Sequence, residues 1–380
     1  MTDIKRKAPA APTIVSHLRP TSRSAGAMAA TLRWQADPAR RTRILTEAAD
    51  EKTPGVREQA IAELRSLALV PANKEPMLGD NEVKAALLAS ASASQTPGMR
   101  ESGLAALYLL SYVPSNKAVV WAADVKSVLL EGAAVGETLA VRERALGSLH
   151  NFASVPENST VMWEDAAVRS SLLAAAAVSE HKKTREPALA TLCSLAANDD
   201  AIRVPMWGDS GVKTVLLAGA SAAEPPNVRE PALRAMQMLA NAPQNVEAMW
   251  GDGAVKAALL GGAADSEPEG VRELALRAMC DLANAATNMA PMWADAAVKA
   301  SLLAGAAANQ APSVREPALL ALYNLSSATV NRETMWSDNG VKLALLAGAA
   351  SNERLAMREL ALAALWNLTS EHGQPEQNRG

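Results

Sequence analysis

The sequence has few of the residues that build large β-sheets. Aromatic residues make up 3% of the 380 residues, with one Phe and three Tyr, and Ala and Leu dominate the 49% apolar fraction. Ala and Leu are strong helix formers, whereas sheets favour β-branched and aromatic side chains. We therefore expect an all-α fold.

Cysteine, excess positive charge and long apolar runs are also scarce. The two widely separated cysteines, Cys193 and Cys280, form no disulfide framework, so a reducing, intracellular and cytoplasmic location is expected. A net charge of −3 provides no basic field, which makes nucleic acid an unexpected partner. No apolar run approaches the roughly 18 residues that a membrane span needs.

Sequence signatures of catalysis are missing. The four histidines, His17, His150, His181 and His372, show no metal-ligand spacing with one another or with cysteine. The sequence contains neither a glycine-rich phosphate loop nor a nucleophile elbow. We expect no enzymatic activity, no metal and no cofactor.

A dipeptide, Arg-Glu, recurs along almost the whole chain at steps of 42 to 44 residues. Its eight arginines are Arg57, Arg100, Arg142, Arg185, Arg229, Arg272, Arg315 and Arg358. A second column precedes the first by 21 to 23 residues and consists of Trp34, Leu78, Trp121, Trp163, Trp207, Trp250, Trp293 and Trp336. Such a fixed period is the signature of a repeat array.

One unit, taken from Asn331 to Leu368, divides into three predicted helices. Asn331 is expected to cap a short first helix that ends at Trp336, and Asp338 is expected to cap the second. Glycines at the end of the second helix (Gly219, Gly262, Gly305 and Gly348) are interpreted as helix stops. The third helix is predicted to start near Met357, and prolines after the Arg-Glu pair (Pro187, Pro231 and Pro317) are expected to mark its first turn.

The third-helix sequence Val-Arg-Glu-Pro-Ala-Leu-Leu-Ala-Leu-Tyr-Asn-Leu at 314–325 resembles the armadillo repeat. This resemblance implies a right-handed α-solenoid of about eight three-helix repeats of about 43 residues, here assigned to residues 29–370. Residues 1–28, rich in Pro, Ala, Ser and basic residues, are expected to be a disordered arm, or alternatively an organelle-targeting peptide. Residues 371–380 are expected to form a polar tail.

Two columns are interpreted as ties between neighbouring repeats. The tryptophans are expected to fill gaps between repeats, although exposed rings would suit carbohydrate or base stacking. The arginines are expected to form an inter-repeat ladder, with a phosphate-reading stripe as the alternative. The assigned residues are Trp121, Trp163, Trp207, Trp250, Trp293, Trp336, Arg229, Arg272, Arg315 and Arg358. The basic residue of each second helix, such as Lys256, is interpreted as part of a solvated face.

The armadillo resemblance also implies a concave groove, lined by the third helices, that binds extended peptides. Importin-like members hold peptides with a Trp followed four residues later by an Asn. Here no repeat has Trp at the first of these positions, and three keep the Asn: Asn151, Asn324 and Asn367. We therefore do not expect a nuclear-import receptor.

The side chains eight residues after each Arg vary more than the rest of the repeat. Such variation is expected at positions that only a ligand constrains. The alternative is that the sequence has drifted at an unconstrained surface. The predicted partner-binding residues are Tyr108, His150, Asn151, Arg234, Gln237, Arg277, Asp281, Tyr323, Asn324, Trp366 and Asn367. The expected function is a scaffold that binds a protein or peptide in the groove. The alternative is a structural component that packs through its convex face or ends.

Overall fold

The computed structural model describes residues 33–113, 121 and 123–370, and within them the chain is helical with no strand. It begins with a 3₁₀-helix, Trp34–Ala36. The first α-helices are α1 (Pro38–Ala48), α2 (Pro54–Ala68), α3 (Pro71–Leu78), α4 (Asn81–Ala91), α5 (Pro97–Leu110), α6 (Ala123–Ala133), α7 (Leu139–Ala153), α8 (Pro156–Glu164), α9 (Ala166–Ala176), α10 (Lys182–Asn198) and α11 (Asp200–Gly208). The remainder are α12 (Ser210–Gly219), α13 (Pro226–Ala240), α14 (Pro243–Gly251), α15 (Gly253–Gly262), α16 (Glu269–Ala283), α17 (Ala286–Ala294), α18 (Ala296–Gly305), α19 (Pro312–Ser326), α20 (Thr329–Ser337), α21 (Asn339–Gly348) and α22 (Leu355–Thr369). The predicted arm at 1–28 and tail at 371–380 lie outside the described residues.

These helices form eight repeats, each ending with a long third helix. The third helices are α2, α5, α7, α10, α13, α16, α19 and α22, and each packs against the third helix of the next repeat. The second helices (α1, α4, α6, α9, α12, α15, α18 and α21) stack in the same order. One buried cluster of mainly Leu, Ala, Val and Met runs through the stack, so the molecule is an all-α solenoid of three-helix repeats.

The second helices begin where the sequence predicts. In α21 the Asp338 carboxylate accepts hydrogen bonds from the backbone N–H groups of Gly340 (2.8 Å) and Val341 (3.2 Å). The expected capping by Asp is therefore confirmed, and the same arrangement occurs at Asp80, Asp165, Asp209, Asp252 and Asp295. The carboxylate satisfies donors that have no partner within the helix.

The third helices begin earlier than predicted. Helix α22 starts at Leu355 rather than Met357, and α13 starts at Pro226. The interpretation that Pro187, Pro231 and Pro317 mark the first turn is therefore wrong, because each lies inside its helix as the sixth residue. A proline there removes one backbone hydrogen bond, and packing against both neighbouring repeats keeps the helix intact despite that loss.

The recurring Asn of the first helix does not cap it, so that prediction is also wrong. Helix α20 starts two residues before Asn331, and its N-cap residue, Ala328, supplies no side-chain acceptor. The buried Asn331 amide instead donates to the carbonyl of Leu325 in the preceding third helix and to that of Met289 in the preceding repeat, both at 3.0 Å. The equivalent Asn245 and Asn288 make the same pair of bonds. This column joins repeats rather than starting helices.

Adjacent repeats meet at a knob and a socket. The knob is the Leu four residues after the Arg, and the socket is the second-helix residue that lies ten residues before the next Arg, together with the Ala three residues after that Arg. In the joint between repeats 7 and 8, a Cβ added to Gly348 would lie 3.1 Å from Cδ1 of Leu319 and 3.0 Å from Cβ of Ala361. The socket glycines thus provide room for a leucine, and no left-handed backbone conformation requires them. They are the last residues of their helices, as the sequence predicts.

Candidate functional site

The Arg column lies between repeats, and its charged groups are buried. Arg185 is 3% exposed; its guanidinium contacts Glu224 of the next repeat at 2.6 Å, and its Nε donates to the carbonyl of Ala176 at 3.3 Å. The column pairs in the same way at Arg100–Glu137, Arg142–Glu180, Arg229–Glu267 and Arg315–Glu353. Arg272 uses Gln310 and Asp265 instead, and Arg358 of the last repeat is half-buried. These guanidinium groups are not displayed to a phosphate-bearing ligand.

The Trp column is buried between first and second helices. Trp163, Trp207, Trp250 and Trp293 are buried, and Trp121 and Trp336 are half-buried, which is incompatible with an exposed stacking platform. Leu78, which takes the Trp position in repeat 2, is buried as well. The indole Nε1 of Trp293 donates to the Thr334 hydroxyl of the next repeat at 2.9 Å.

In repeats 6 and 7, the Lys of the second helix connects the Trp of its own repeat to the Asp cap of the next repeat. The Lys256 ammonium lies 4.5 Å from the centroid of the Trp250 ring and donates to the Asp295 carboxylate at 2.9 Å. Lys299 makes the equivalent contacts with Trp293 and Asp338. The Lys126 and Lys299 hydrogen bonds lower the pKa of Asp165 and Asp338, respectively. Interpreting Lys256 and Lys299 as part of a solvated face is therefore wrong, because each has partners in two repeats.

The sequence analysis missed this Trp–Lys–Asp connection, although a signal was present. Lys126, Lys256 and Lys299 each precede their Asp partner by 39 residues, close to the repeat period. A search for opposite charges separated by nearly one repeat would have found them.

The predicted binding residues lie on the third helices, along a strip called here the third-helix face. It comprises the side chains five, eight and nine residues after each Arg. Neighbouring members contact one another across each joint: the Gln237 amide donates to the Asp281 carboxylate at 3.1 Å, and the Ser194 hydroxyl lies 3.4 Å from Nδ1 of His150. The structure therefore brings residues from successive repeats together in one strip.

The three asparagines of this face are bonded to the preceding repeat. Asn151 donates to the Ser111 hydroxyl at 2.9 Å, and Asn324 donates to the carbonyl of Cys280 at 3.1 Å. Asn367 donates to the Ser326 hydroxyl at 3.1 Å. Their amide N–H groups thus hold third helices in register, and Asn151 and Asn324 are buried.

The aromatic members of the face differ in exposure. The Tyr108 ring fills the space above Gly147, where an added Cβ would lie 2.7 Å from the ring, and its hydroxyl is hydrogen-bonded to Tyr112. Tyr323 is half-buried against the core, whereas Trp366 is 71% exposed. Trp366 belongs to repeat 8, and no third helix of the described residues covers it.

A polar group occupies the face in repeats 5 and 6. Arg234 and Arg277 stand at a position where the other six repeats have Ala, Gly or Leu. The Arg277 Nε donates to Glu273 at 2.9 Å. A cavity of about 180 Å³ opens near the C-terminal ends of α13 and α16, and its lining residues include Asp281, Asn241 and Asn284. This is the part of the face with the most varied charge and hydrogen-bonding capacity.

Catalytic features are not found in the described part of the chain. No group of three or more His, Cys, Asp or Glu residues is arranged to hold a metal ion there. Cys193 and Cys280 are buried and unpaired in any disulfide, and burial raises the pKa of Cys193 to about 12, partly opposed by Arg234. A thiol in that state is protonated and a poor nucleophile. Among the described residues, no helix is long and apolar enough to cross a membrane.

Solved structures share this architecture. A designed armadillo repeat protein in complex with the peptide (KR)4 matches with a TM-score of 0.54 and 17% identity, covering 63% of this chain and 98% of that one. A structure from work on a phosphorylation switch between cadherin and beta-catenin matches with 0.62 and 17%, covering 86% and 60%. UNC-45 from Drosophila melanogaster matches with 0.57 and 15%, covering 92% and 52%. No protein-family model and no curated protein matches the sequence.

The fold is therefore that of armadillo repeat proteins, and the chain is an α-solenoid of three-helix repeats.

Proposed function

We propose that this protein is a non-catalytic scaffold that binds an extended peptide or a helix along the third-helix face. The observation that carries the proposal is the polar group of repeats 5 and 6. Arg234, Gln237, Arg277 and Asp281 interrupt a face built elsewhere largely from small and apolar side chains, beside a cavity. Neighbouring repeats pack in almost the same way at each joint. That packing therefore does not require these four side chains.

Each member of the group supplies an interaction suited to a peptide. The two guanidinium groups suit carboxylates or backbone carbonyls, and Asp281 and Gln237 can exchange their mutual bond for bonds to a peptide backbone. Next to them, burial raises the pKa of Glu230, as do the nearby Glu273 and Glu186, whereas Arg234 lowers it. A cationic peptide side chain placed here would relieve that repulsion.

Flanking residues would extend the site along the solenoid. Tyr323 and Trp366 lie on the C-terminal side of the polar group, and Tyr108 and His150 lie on its N-terminal side. Asn151, Asn324 and Asn367 would contribute through their carbonyl oxygens, because their amide N–H groups already bond to the preceding repeat. The peptide complex of the designed armadillo protein supports an extended peptide as the ligand class.

The test compares two triple variants of the full chain. The first variant replaces three members of the polar group with alanine (Arg234→Ala, Gln237→Ala and Arg277→Ala). The second variant changes the surfaces of second helices (Ser171→Asp, Thr214→Asp and Ala257→Asp). Both are used in affinity purification followed by mass spectrometry and by peptide-array mapping. We expect the first variant to lose the partners and peptides that the wild-type chain recovers and the second to keep them. Unchanged recovery by the first variant would overturn the proposal.

A second candidate function is a structural component that packs through its second helices or its ends, with no peptide ligand. Two observations favour it. A cavity of about 530 Å³ lies between α1 and α4, lined by residues that include Arg41, Leu45 and Glu82. Leucines of the last repeat are also exposed. In the experiment above, this function predicts that the first variant keeps its partners.

An intracellular, cytoplasmic location completes the proposal, because two buried thiols that form no disulfide suit a reducing compartment. Organelle import through residues 1–28 is the alternative. N-terminal sequencing of the native protein tests it, since import would remove that segment.

A further inference from the structure

The joints between repeats show which side chains pack against the knob Leu of each repeat. At the joint between repeats 4 and 5, a Cβ added to Gly219 would lie 2.9 Å from Cδ1 of Leu189, the knob of the preceding repeat, and 3.0 Å from Cβ of Ala232. The same geometry occurs at Gly132, Gly262, Gly305 and Gly348. Each knob Leu in these joints is fully or almost fully buried. A Leu knob in this molecule therefore binds a socket of Gly and Ala on two adjacent helices.

A second apolar contact accompanies the first. Leu303, four residues after the Lys of its second helix, approaches the start of the next second helix, where a Cβ added to Gly340 would lie 2.9 Å from its Cδ1. Leu173 meets Gly211 in the same way. At both of these joints, a glycine near the start of a second helix therefore leaves room for a leucine of the preceding repeat.

In repeat 8, the last that the structure describes, the equivalent side chains are exposed. Leu362 is the knob of repeat 8 and is 52% exposed, whereas its counterparts Leu276 and Leu319 are fully buried. Leu346, the counterpart of Leu303, is 60% exposed. Together with Trp366 they form the C-terminal end face.

The opposite end of the solenoid is closed by charge. In repeat 1 the socket position of the second helix holds Glu47, where five other repeats have Gly, and Glu63 replaces a small residue of the third helix. Arg43 contacts Glu47 at 2.6 Å and Glu63 at 2.8 Å, and Arg40 contacts Glu63 at 2.7 Å. This ion-pair group cannot receive a Leu knob, so copies of this chain do not stack head to tail.

We propose that the C-terminal end face docks a helix pair of a separate protein whose surface carries the same socket, with Gly in one helix and Ala in the next. The joints inside this molecule define that chemistry. Two copies meeting end face to end face would place leucine against leucine and leave both without sockets. The surface is distinct from the polar group of repeats 5 and 6, and its occupation does not require peptide binding there.

The test gives a second copy of this chain the missing socket. The probe carries Arg43→Ala, Glu47→Gly and Glu63→Ala, which reproduce Ala344, Gly348 and Ala364 of repeat 8. It also carries Leu346→Lys and Leu362→Lys, so that its own end face is inactive. Sedimentation velocity of probe mixed with the unmodified chain is expected to show a 1:1 complex with micromolar affinity.

Matched variants of the unmodified chain locate the contact. Leu362→Lys is expected to weaken the complex at least about tenfold, a change of about 1.4 kcal/mol. Leu343→Lys is the control. Leu343 lies in the same helix as Leu346 and is 70% exposed, but the residue at its position is exposed in the second helix of the other repeats as well. It should leave the affinity unchanged.

Three results would overturn the proposal: no complex at the highest soluble concentration, equal weakening by both Lys variants, or self-association of the unmodified chain through Leu362. If the probe fails to fold, residues 329–370 are duplicated after Ser370 in the full chain. Hydrogen exchange of α22 should then slow relative to the unmodified chain, and unchanged exchange would equally reject the socket interaction. Loss of groove ligands without any effect here would count only against the peptide proposal.

Discussion

Arg185 and Glu224 form a buried ion pair that joins two repeats, with 2.6 Å between the guanidinium nitrogen and the carboxylate oxygen. The Arg is held from the other side by the carbonyl of Ala176 at the end of its own second helix. One side chain therefore connects its own helix, the end of the preceding helix and a loop of the next repeat. The recurring Arg-Glu dipeptide marks this position, but for six of the eight arginines, from Arg100 to Arg315, a partner is an acidic or amide side chain in the loop of the next repeat.

Replacing Arg185 with Ala is expected to reduce the free energy of unfolding by about 3–5 kcal/mol, because Glu224 keeps its charge without a partner. Urea denaturation followed by circular dichroism measures the loss. Glu224→Ala and the double variant complete a cycle in which the double change costs less than the sum of the single changes. Additive losses would show that the pair is not coupled.

Two adjacent glycines of α15 are expected to respond in opposite directions. Gly262 is a socket residue, and a Cβ there would lie 3.0 Å from Ala275, so Gly262→Leu should destabilise the protein by about 1–3 kcal/mol. Gly261 has nothing within 4 Å of an added Cβ, so Gly261→Ala should stabilise it by about 0.5–1 kcal/mol. Thermal melting of both variants gives the signs. Similar shifts for the pair would contradict the socket.

Trp293 is expected to act through its volume. Trp293→Ala should cost about 3–5 kcal/mol, as for other large core residues. Trp293→Leu should cost clearly less, because repeat 2 packs Leu78 at the equivalent position. Equal losses for Ala and Leu would instead assign the stability to the indole ring, through its hydrogen bond to Thr334 and its contact with Lys299. Urea denaturation of the two variants decides between them.

The Lys–Asp pairs predict a dependence of stability on pH. The Lys256 hydrogen bond lowers the pKa of Asp295 below its value in the unfolded chain, near about 3.9. The resulting stabilisation is complete above the unfolded pKa and is lost as the pH falls through the folded pKa. Asp295→Asn is the control, because an amide caps the helix but does not titrate.

Urea midpoints of the two proteins should therefore differ most near neutral pH and converge as the pH falls towards 2. A difference that stays constant over this range would mean that Asp295 gains nothing from its charge.

The sequence predicted the architecture correctly because a repeat displays its own periodicity. The Arg and Trp columns gave the period, and the Leu and Ala spacing gave the helices. The Asp caps were also predictable, since capping depends on a side chain and a backbone only two or three residues apart. The first-helix Asn and the third-helix Pro were misread because their positions are stabilised by groups in other helices. Asn331, for example, bonds to Met289 from a different repeat.

By itself, the sequence determined the number of repeats, the order of their helices and which residue types recur at each position, because these follow from local spacing. Only the tertiary structure decided which side chains are available to a partner. Trp366 and Leu362 occupy positions that are half-buried or buried in other repeats, and they are exposed because no other described repeat packs on repeat 8. The exposure of a side chain at these positions depends on whether a neighbouring repeat packs against it. The packing surface of that neighbour is formed by two helices that are far from these residues in the sequence.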